Sequence, residues 1–478
     1  MNKKLLSIDD CHALNINEIK KLYKNHISNA LVSIFEGFSF GNETVKYAEG
    51  QYIYTNQNKK ILDFTGGLGV LNIGHNNPKI ISERINYQKS KRMEVYKNYL
   101  SPYLAGLSHN IAEILPSDLN YSFFCNSGSE AIDGSIKIAY KYHNGNRKYI
   151  LHSNRSFHGK LLSSLSVSKD NYEISFPKLA GTHDYEFNNL DSLNKKISNL
   201  KKNNGQSDVY AILVEPFSAS SMTSNSKEFM QGVRKLCDRH DIVLIFDEIY
   251  TGFYKTGKLF YFENFDLVPD VLVLSKSLGG GKSSISGYIS RNKIAKKSYD
   301  NMSDVLMHST TYNGFGEECI TAISAINQMI ENNYENKSSN IGKELNKELK
   351  KLKELNPKKI KDVRGAGCLY GLVLKIDSLA IKSIKIMPSK FLADEKFIDK
   401  LVITAIMEEL YTKHNILTTF KDNTEVILCV EPSIISTKED IIYFTKCLDQ
   451  VLNKNIVLLV SNLLKNKIKN NNLFLHKP

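Results

Sequence analysis

A chain of 478 residues is too long for one simple core, so two domains, or a large domain with a smaller one, are expected. Apolar residues at 42% and charged residues at 24% give the balance of a folded soluble protein. The net charge of +13 can attract nucleic acid, a membrane or an acidic protein, but the lysines stand among asparagines, as at Lys201-Lys202-Asn203-Asn204, rather than between aromatics. They read as a solvated surface, so neither nucleic acid nor a membrane is expected as a partner.

The opening segment, Met1 to Asp10, turns acidic before any apolar run forms, so no secretory signal is expected. Residues 1 to about 80 read as helix followed by short strands and glycine turns. From about 120 to 330, apolar strands alternate with helices: Tyr121–Phe124, Lys148–Leu151, Ala211–Val214, Ile242–Phe246 and Val271–Leu274. That alternation predicts an α/β domain with a mostly parallel sheet. A charged helical stretch, Lys343 to Leu355, stops before Pro357; beyond it, Val363–Gly367 and Val426–Val430 read as strands of a smaller α+β domain. The expected division is 1–80 contributing to the small domain, 81–335 as the large domain, and 336–478 completing the small domain with a basic tail. The tail, Asn453 to Pro478, reads as a terminal helix with a loose end, and its apolar run Ile456–Val460 is far too short to cross a bilayer. Seven cysteines, with no C-x-x-C pair, predict reduced thiols, a cytoplasmic protein and no metal site.

The most informative pair is Lys276 with Asp247. Lys276 ends the strand-like run Val271-Leu-Val-Leu-Ser-Lys276 and precedes the turn Gly279-Gly-Gly281; Asp247 ends the run Ile242–Phe246. A lysine and an aspartate at the carboxyl ends of two buried strands are what pyridoxal 5'-phosphate chemistry needs. The lysine holds the cofactor as a Schiff base, and the aspartate keeps the pyridine nitrogen protonated so that the ring draws electrons. Cys125-Asn-Ser127-Gly128-Ser129-Glu130-Ala131 follows a strand and opens a helix, with Ile132, Ile136 and Ala139 at helical spacing. Free N–H groups there, with the hydroxyls of Ser127 and Ser129, suit a phosphate; an ordinary serine cap is the plain alternative. In Ser156-Phe157-His158-Gly159-Lys160 an aromatic can lie against a planar ring, and Thr311, in His308–Gly314, can add a phosphate contact. Gly281-Lys-Ser283 imitates the end of a nucleotide P-loop, but the first glycine of that motif would fall on Lys276, so no ATP site is expected.

Taken in order, these motifs resemble the class III (ω-) aminotransferases of PLP fold type I over roughly residues 45 to 435. Asp63-Phe-Thr-Gly-Gly-Leu-Gly69 through Pro78 resembles the family's N-terminal glycine motif, while Tyr121–Glu130 and Phe157–Lys160 are most similar to the putrescine aminotransferase branch. Asp247-Glu248, Thr251-Gly-Phe253, Thr256–Phe260 and Pro269–Lys276 complete the cofactor signature. The resemblance implies a large domain with a seven-stranded-type, mostly parallel sheet and a smaller α+β domain from the terminal segments. It further implies that Lys276 bonds the cofactor, Asp247 pairs with the ring nitrogen, Phe157 stacks on the ring, and Gly128 and Ser129 hold the phosphate, with Ser127 and His158 beside them. Thr311 would reach that phosphate from the neighbouring subunit of a homodimer with a shared active site.

The departures from the family pattern are as informative. In Val214-Glu-Pro-Phe-Ser-Ala-Ser220, Ser220 stands where glutamate-using members carry a glutamate, and Cys429 occupies the position of the arginine that binds a substrate α-carboxylate. The two absences are coherent, because an arginine without its glutamate leaves an unpaired buried charge. Weak use of 2-oxoglutarate by the usual route is therefore expected. Tyr250 replaces a glutamine that contacts the cofactor's ring hydroxyl, a bond that a phenol can also make. Glu317 and Glu318 either face a cationic amine or cap the next helix. The expected activity is amino transfer between a terminal amine (a diamine, an ω-amino acid or similar) and a carbonyl compound. Alternatives on the same residues are an aminomutase, racemase or lyase, or a tailoring aminotransferase acting on an aldehyde held by an acidic carrier protein. A catalytically dead scaffold is the non-enzymatic alternative.

Overall fold

Residues 5–169, 176–376 and 395–469 are described in a computed structural model of the chain. The end of the basic tail, from residue 470, lies outside them, as do the first four residues of the opening segment.

A seven-stranded sheet forms the centre, in the order Leu119–Cys125, Ser286–Arg291, Val271–Leu274, Val243–Asp247, Val209–Val214, Tyr149–Ser153, Thr182–Tyr185. Only Ser286–Arg291 runs against the others. The mostly parallel α/β sheet expected from the alternating pattern is thus present, and each of the five strands read from sequence is one of the seven. Such strands are buried on both faces, so their residues divide by parity. Ala211, Leu213, Val243, Ile245, Val271 and Val273 pack with Ile132, Ile136 and Ala139 of helix Gly128–Tyr142. Ile212, Val214, Leu244, Phe246, Leu272 and Leu274 meet the opposite layer, in which Phe229, Met230 and Val233 of helix Lys227–His240 and Ala322, Ala325 and Met329 of helix Gly316–Glu331 lie. Each large apolar side chain so covered contributes roughly 1.5–3 kcal/mol.

Two smaller sheets flank this core. Val45–Glu49, Tyr52–Thr55 and Lys60–Asp63 form an antiparallel set that Ile416–Leu417 joins in parallel beside Lys60–Asp63. Ile360–Ala366, Leu369–Leu374, Ile427–Val430 and Thr419–Lys421 form the other, in that order. Leu345, Leu349 and Leu352, on helix Tyr334–Leu355, share a core with Leu62, Phe64, Leu428 and Phe444. The helix read over Lys343–Leu355 thus starts nine residues earlier, at Tyr334, and is capped by the Asn333 side chain. The tail begins as the helix Ile456–Lys469, and among the described residues no helix is long and apolar enough to cross a membrane. All seven cysteines are free thiols, and only Cys11 is exposed.

Candidate active site

The strands of a parallel sheet present their carboxyl ends at one edge, where open α/β sheets bind ligands. Here Cys125 leads to the cap of helix Gly128–Tyr142, Ser153 to the turn Ser156–Gly159, Val214 to Glu215, and Leu274 to Ser275 and Lys276; Asp247 closes its own strand. The segments reached in this way, Ser127–Ser129, Ser156–Gly159, Glu215, Asp247, Ser275 and Lys276, line one cavity of about 540 Å³, together with Phe217, Ser220, Tyr250, Lys421 and Asn423. Ser127, Gly128, Ser129, Phe157, His158, Asp247, Tyr250 and Lys276, read separately from sequence, are thereby brought together.

Asp247 is buried, and its two oxygens are assigned. Oδ2 lies 2.7 Å from Nδ1 of the fully buried His158 ring, and Oδ1 accepts the Ile249 N–H at 2.9 Å. His158 is itself located by its backbone N–H, which donates to Ser168 at 2.8 Å. Its Nε2 is buried without a hydrogen-bond partner among the described residues. The turn carrying it is possible only for glycine at 159, where φ is +132° and a Cβ would stand 2.1 Å from the Ser129 hydroxyl oxygen. Phe157 donates its N–H to Glu215 at 3.0 Å and keeps its half-exposed ring on the cavity wall. Burial pushes the Glu215 carboxyl up to about 7, with the Asp247 charge adding to the rise.

Lys276 adopts φ +47°, a left-handed conformation that costs a β-carbon residue energy and that clusters at functional sites. Its Nζ lies 3.4 Å from the centre of the Tyr250 ring. Burial, and then the charge of Lys421, depress its ammonium from 10.5 to about 7, against the opposing pull of Glu431, Asp247 and Glu215. At neutral pH this lysine therefore exists in comparable measure as the free amine, the form that attacks carbonyls and accepts protons.

The helix start resolves two readings of one motif. Ser127 is the cap: its hydroxyl accepts the Glu130 N–H and donates to the Glu130 carboxylate, which also takes the N–H groups of Asn126 and Ser127. The N–H groups of Gly128 and Ser129 remain without an acceptor among the described residues, at the positive end of a 15-residue helix. Unpaired helix N–H groups, a fixed carboxylate and a half-neutral lysine around one cavity fit a phosphorylated pyridine aldehyde.

Other expected residues fall elsewhere. Thr311 sits in an exposed turn and does not line this cavity. Glu317 and Glu318 occupy the first turn of helix Gly316–Glu331; Glu317 accepts from Arg84 at 3.0 Å, away from the cavity. Gly281-Lys-Ser283 precedes a strand rather than a helix. The Tyr250 hydroxyl is engaged, donating to Glu431 at 2.5 Å.

Sequence reasoning passed over Glu431 and Lys421. Glu431 is completely buried, and its other oxygen accepts from Lys421 Nζ at 2.7 Å. Burial alone would raise its carboxyl, but Lys421, Lys255 and the Tyr250 hydroxyl hold it below the usual range. A signal existed for Glu431, a lone charge directly after the apolar run Val426–Val430; Lys421, in a three-residue strand, offered none.

The class-III aminotransferase family profile matches residues 41–449. Among solved structures, a transaminase from the marine bacterium Virgibacillus superposes with a TM-score of 0.78 at 22% identity, covering 93% of this chain and 99% of that one. Adenosylmethionine-8-amino-7-oxononanoate aminotransferase from Methanocaldococcus jannaschii gives 0.77 at 24% identity, covering 91% and 98%. Ornithine aminotransferase from Toxoplasma gondii gives 0.75 at 19% identity, covering 94% and 98%. At these identities the likenesses show the fold, and the profile match shows the family: the chain belongs to the class-III aminotransferases and is a pyridoxal 5'-phosphate-dependent transaminase.

Proposed function

We propose that this transaminase moves an amino group between a terminal amine, such as a diamine or an ω-amino acid, and a carbonyl compound, without an arginine–glutamate pair for the α-carboxylate. The observation carrying the reading is the amine of Lys276, lowered to about 7, in one cavity with the Asp247–His158 pair. The cofactor, when bound, supplies an electron sink for the substrate carbon. Lys276 anchors it and, once displaced, carries the proton from the substrate carbon as a general base. Asp247, fixed through both oxygens, holds a proton at the ring nitrogen, and His158 keeps that carboxylate oriented. Gly128 and Ser129 bind the phosphate through their N–H groups, with Ser127 shaping the helix start, and Phe157 covers the ring.

Two further features support this reading. Ser220, at the glutamate position, bonds Asn423 at 2.6 Å, and Cys429 is a buried thiol, so neither site holds a charge for an α-carboxylate. Thr311 stands in an exposed turn outside its own cavity, as a residue lent to a neighbouring subunit's phosphate in a homodimer would. The test is a panel of half-reactions on the cofactor-loaded protein with monoamines, diamines, ω-amino acids, alanine and glutamate, followed by the spectral change of the cofactor. Terminal amines should convert it fastest; glutamate as the fastest donor overturns the reading.

A further inference from the structure

Cys429 and Lys421 lie on neighbouring antiparallel strands, with Thr419 opposite Cys429 and Lys421 opposite Ile427. Side chains alternate along a strand, so Lys421, Thr419, Ile427 and Cys429 share one face. The Lys421 charge and the Glu431 carboxylate both act on the Cys429 thiol, so the three side chains are neighbours. The thiol at 429 is buried and uncharged, and the cation beside it comes from the next strand.

That cation lines the cavity and is mostly covered, with 17% of its side chain exposed. Its only hydrogen-bond acceptor among the described residues is Glu431, so one of three ammonium donors is used. Glu431 in turn accepts from Lys421 on one oxygen and from Tyr250 on the other. The Lys421 ammonium stands 4.1 Å from the centre of the Tyr250 ring, the same ring that Lys276 approaches to 3.4 Å. Lys276 and Lys421 thus approach one ring and line one cavity.

We propose that Lys421 is the substrate-carboxylate receptor of this enzyme. It binds an amino acid whose amine reacts at Lys276 and whose carboxylate takes the two remaining ammonium donors, while Glu431 holds and partly neutralises the cation between turnovers. The inference rests on the transaminase reading above and narrows its substrates: a diamine would bring a second cation against Lys421, whereas a short ω-amino acid brings the matching charge. A purely structural Lys421–Glu431 pair would instead leave ligand charge without effect.

The probe is butanoate, which has a carboxylate but neither amine nor carbonyl, titrated by calorimetry into the cofactor-loaded protein. Lys421→Gln should weaken its binding at least tenfold, and Lys421→Arg should keep it within threefold. Glu431→Gln should tighten it, because the cation is then less neutralised; a supporting contact would not respond in opposite directions. Should Lys421→Gln fail to fold, the double variant Lys421→Gln/Glu431→Gln removes both buried charges together and should show the same loss. Equal affinities in wild type and Lys421→Gln, or no butanoate binding by wild type, overturn the proposal. If butanoate fails while borohydride still fixes the cofactor to Lys276, this inference alone falls; loss of that covalent fixation removes the reading beneath it.

Discussion

Lys276 carries a conflict between its backbone and its side chain that the site resolves into reactivity. Its backbone is left-handed, with φ +47°, and its amine lies over the Tyr250 ring, whose face attracts a cation, yet burial and the Lys421 charge disfavour that cation. Burial wins, and the ammonium is depressed to about 7. The amine is mostly protonated and inert below that value and mostly free above it. Competitive reductive methylation of the cofactor-free protein over a pH series, read by peptide mass, should show Lys276 reacting half-maximally near pH 7. Exposed lysines should still be rising toward their ordinary range near 10. A half-point for Lys276 near 10 would contradict the electrostatic account. Neither Tyr250 over the lysine nor Lys421 beside it was legible in the chain, since both effects arise only where distant segments fold together.

At the scale of elements, the strand ends were legible and their supports were not. The five apolar runs expected as strands are continuous in sequence because both faces of each are covered. Ser286–Arg291 escaped notice because it interrupts its buried pattern with Ser286, Gly287 and Ser290, and the Ser286 hydroxyl is spent on Ser275 at 2.6 Å. Thr182–Tyr185 escaped because it is an edge strand in which only Tyr185 is buried. The glycine motif Gly66–Gly69 was legible as a motif, and its physical cause appears only in the fold. Gly69 has φ +87°, and a Cβ there would stand 2.7 Å from the Tyr250 ring. Gly69→Ala should therefore cost about 1–2 kcal/mol in backbone strain alone and also displace Tyr250 from Lys276. Urea unfolding should show the loss, and the cofactor's absorption band should move. An unchanged midpoint with an unchanged spectrum would refute the link between this turn and the site.

Across the whole molecule, residues far apart in sequence meet at one carboxylate. Lys60–Asp63 pairs with Ile416–Leu417, the Phe64 N–H donates to Leu417, and the Glu431 N–H donates to the Phe64 carbonyl at 2.9 Å. Glu431 is thereby set against Tyr250 and Lys421 in the cavity formed by the large sheet. Lys276 and Asp247 were legible because each ends a long apolar run beside a characteristic turn, and the order of the motifs carried the family. Glu431 and Lys421 were not, because they belong to short segments that meet Tyr250 only once the chain has folded. The most direct measurement of the central claim is to load the purified protein with pyridoxal 5'-phosphate, reduce it with borohydride, and identify the modified peptide by mass. The account predicts the cofactor's mass fixed on Lys276 and absent from Lys276→Ala. Cofactor fixed at another lysine, or none retained by the wild-type protein, would contradict it.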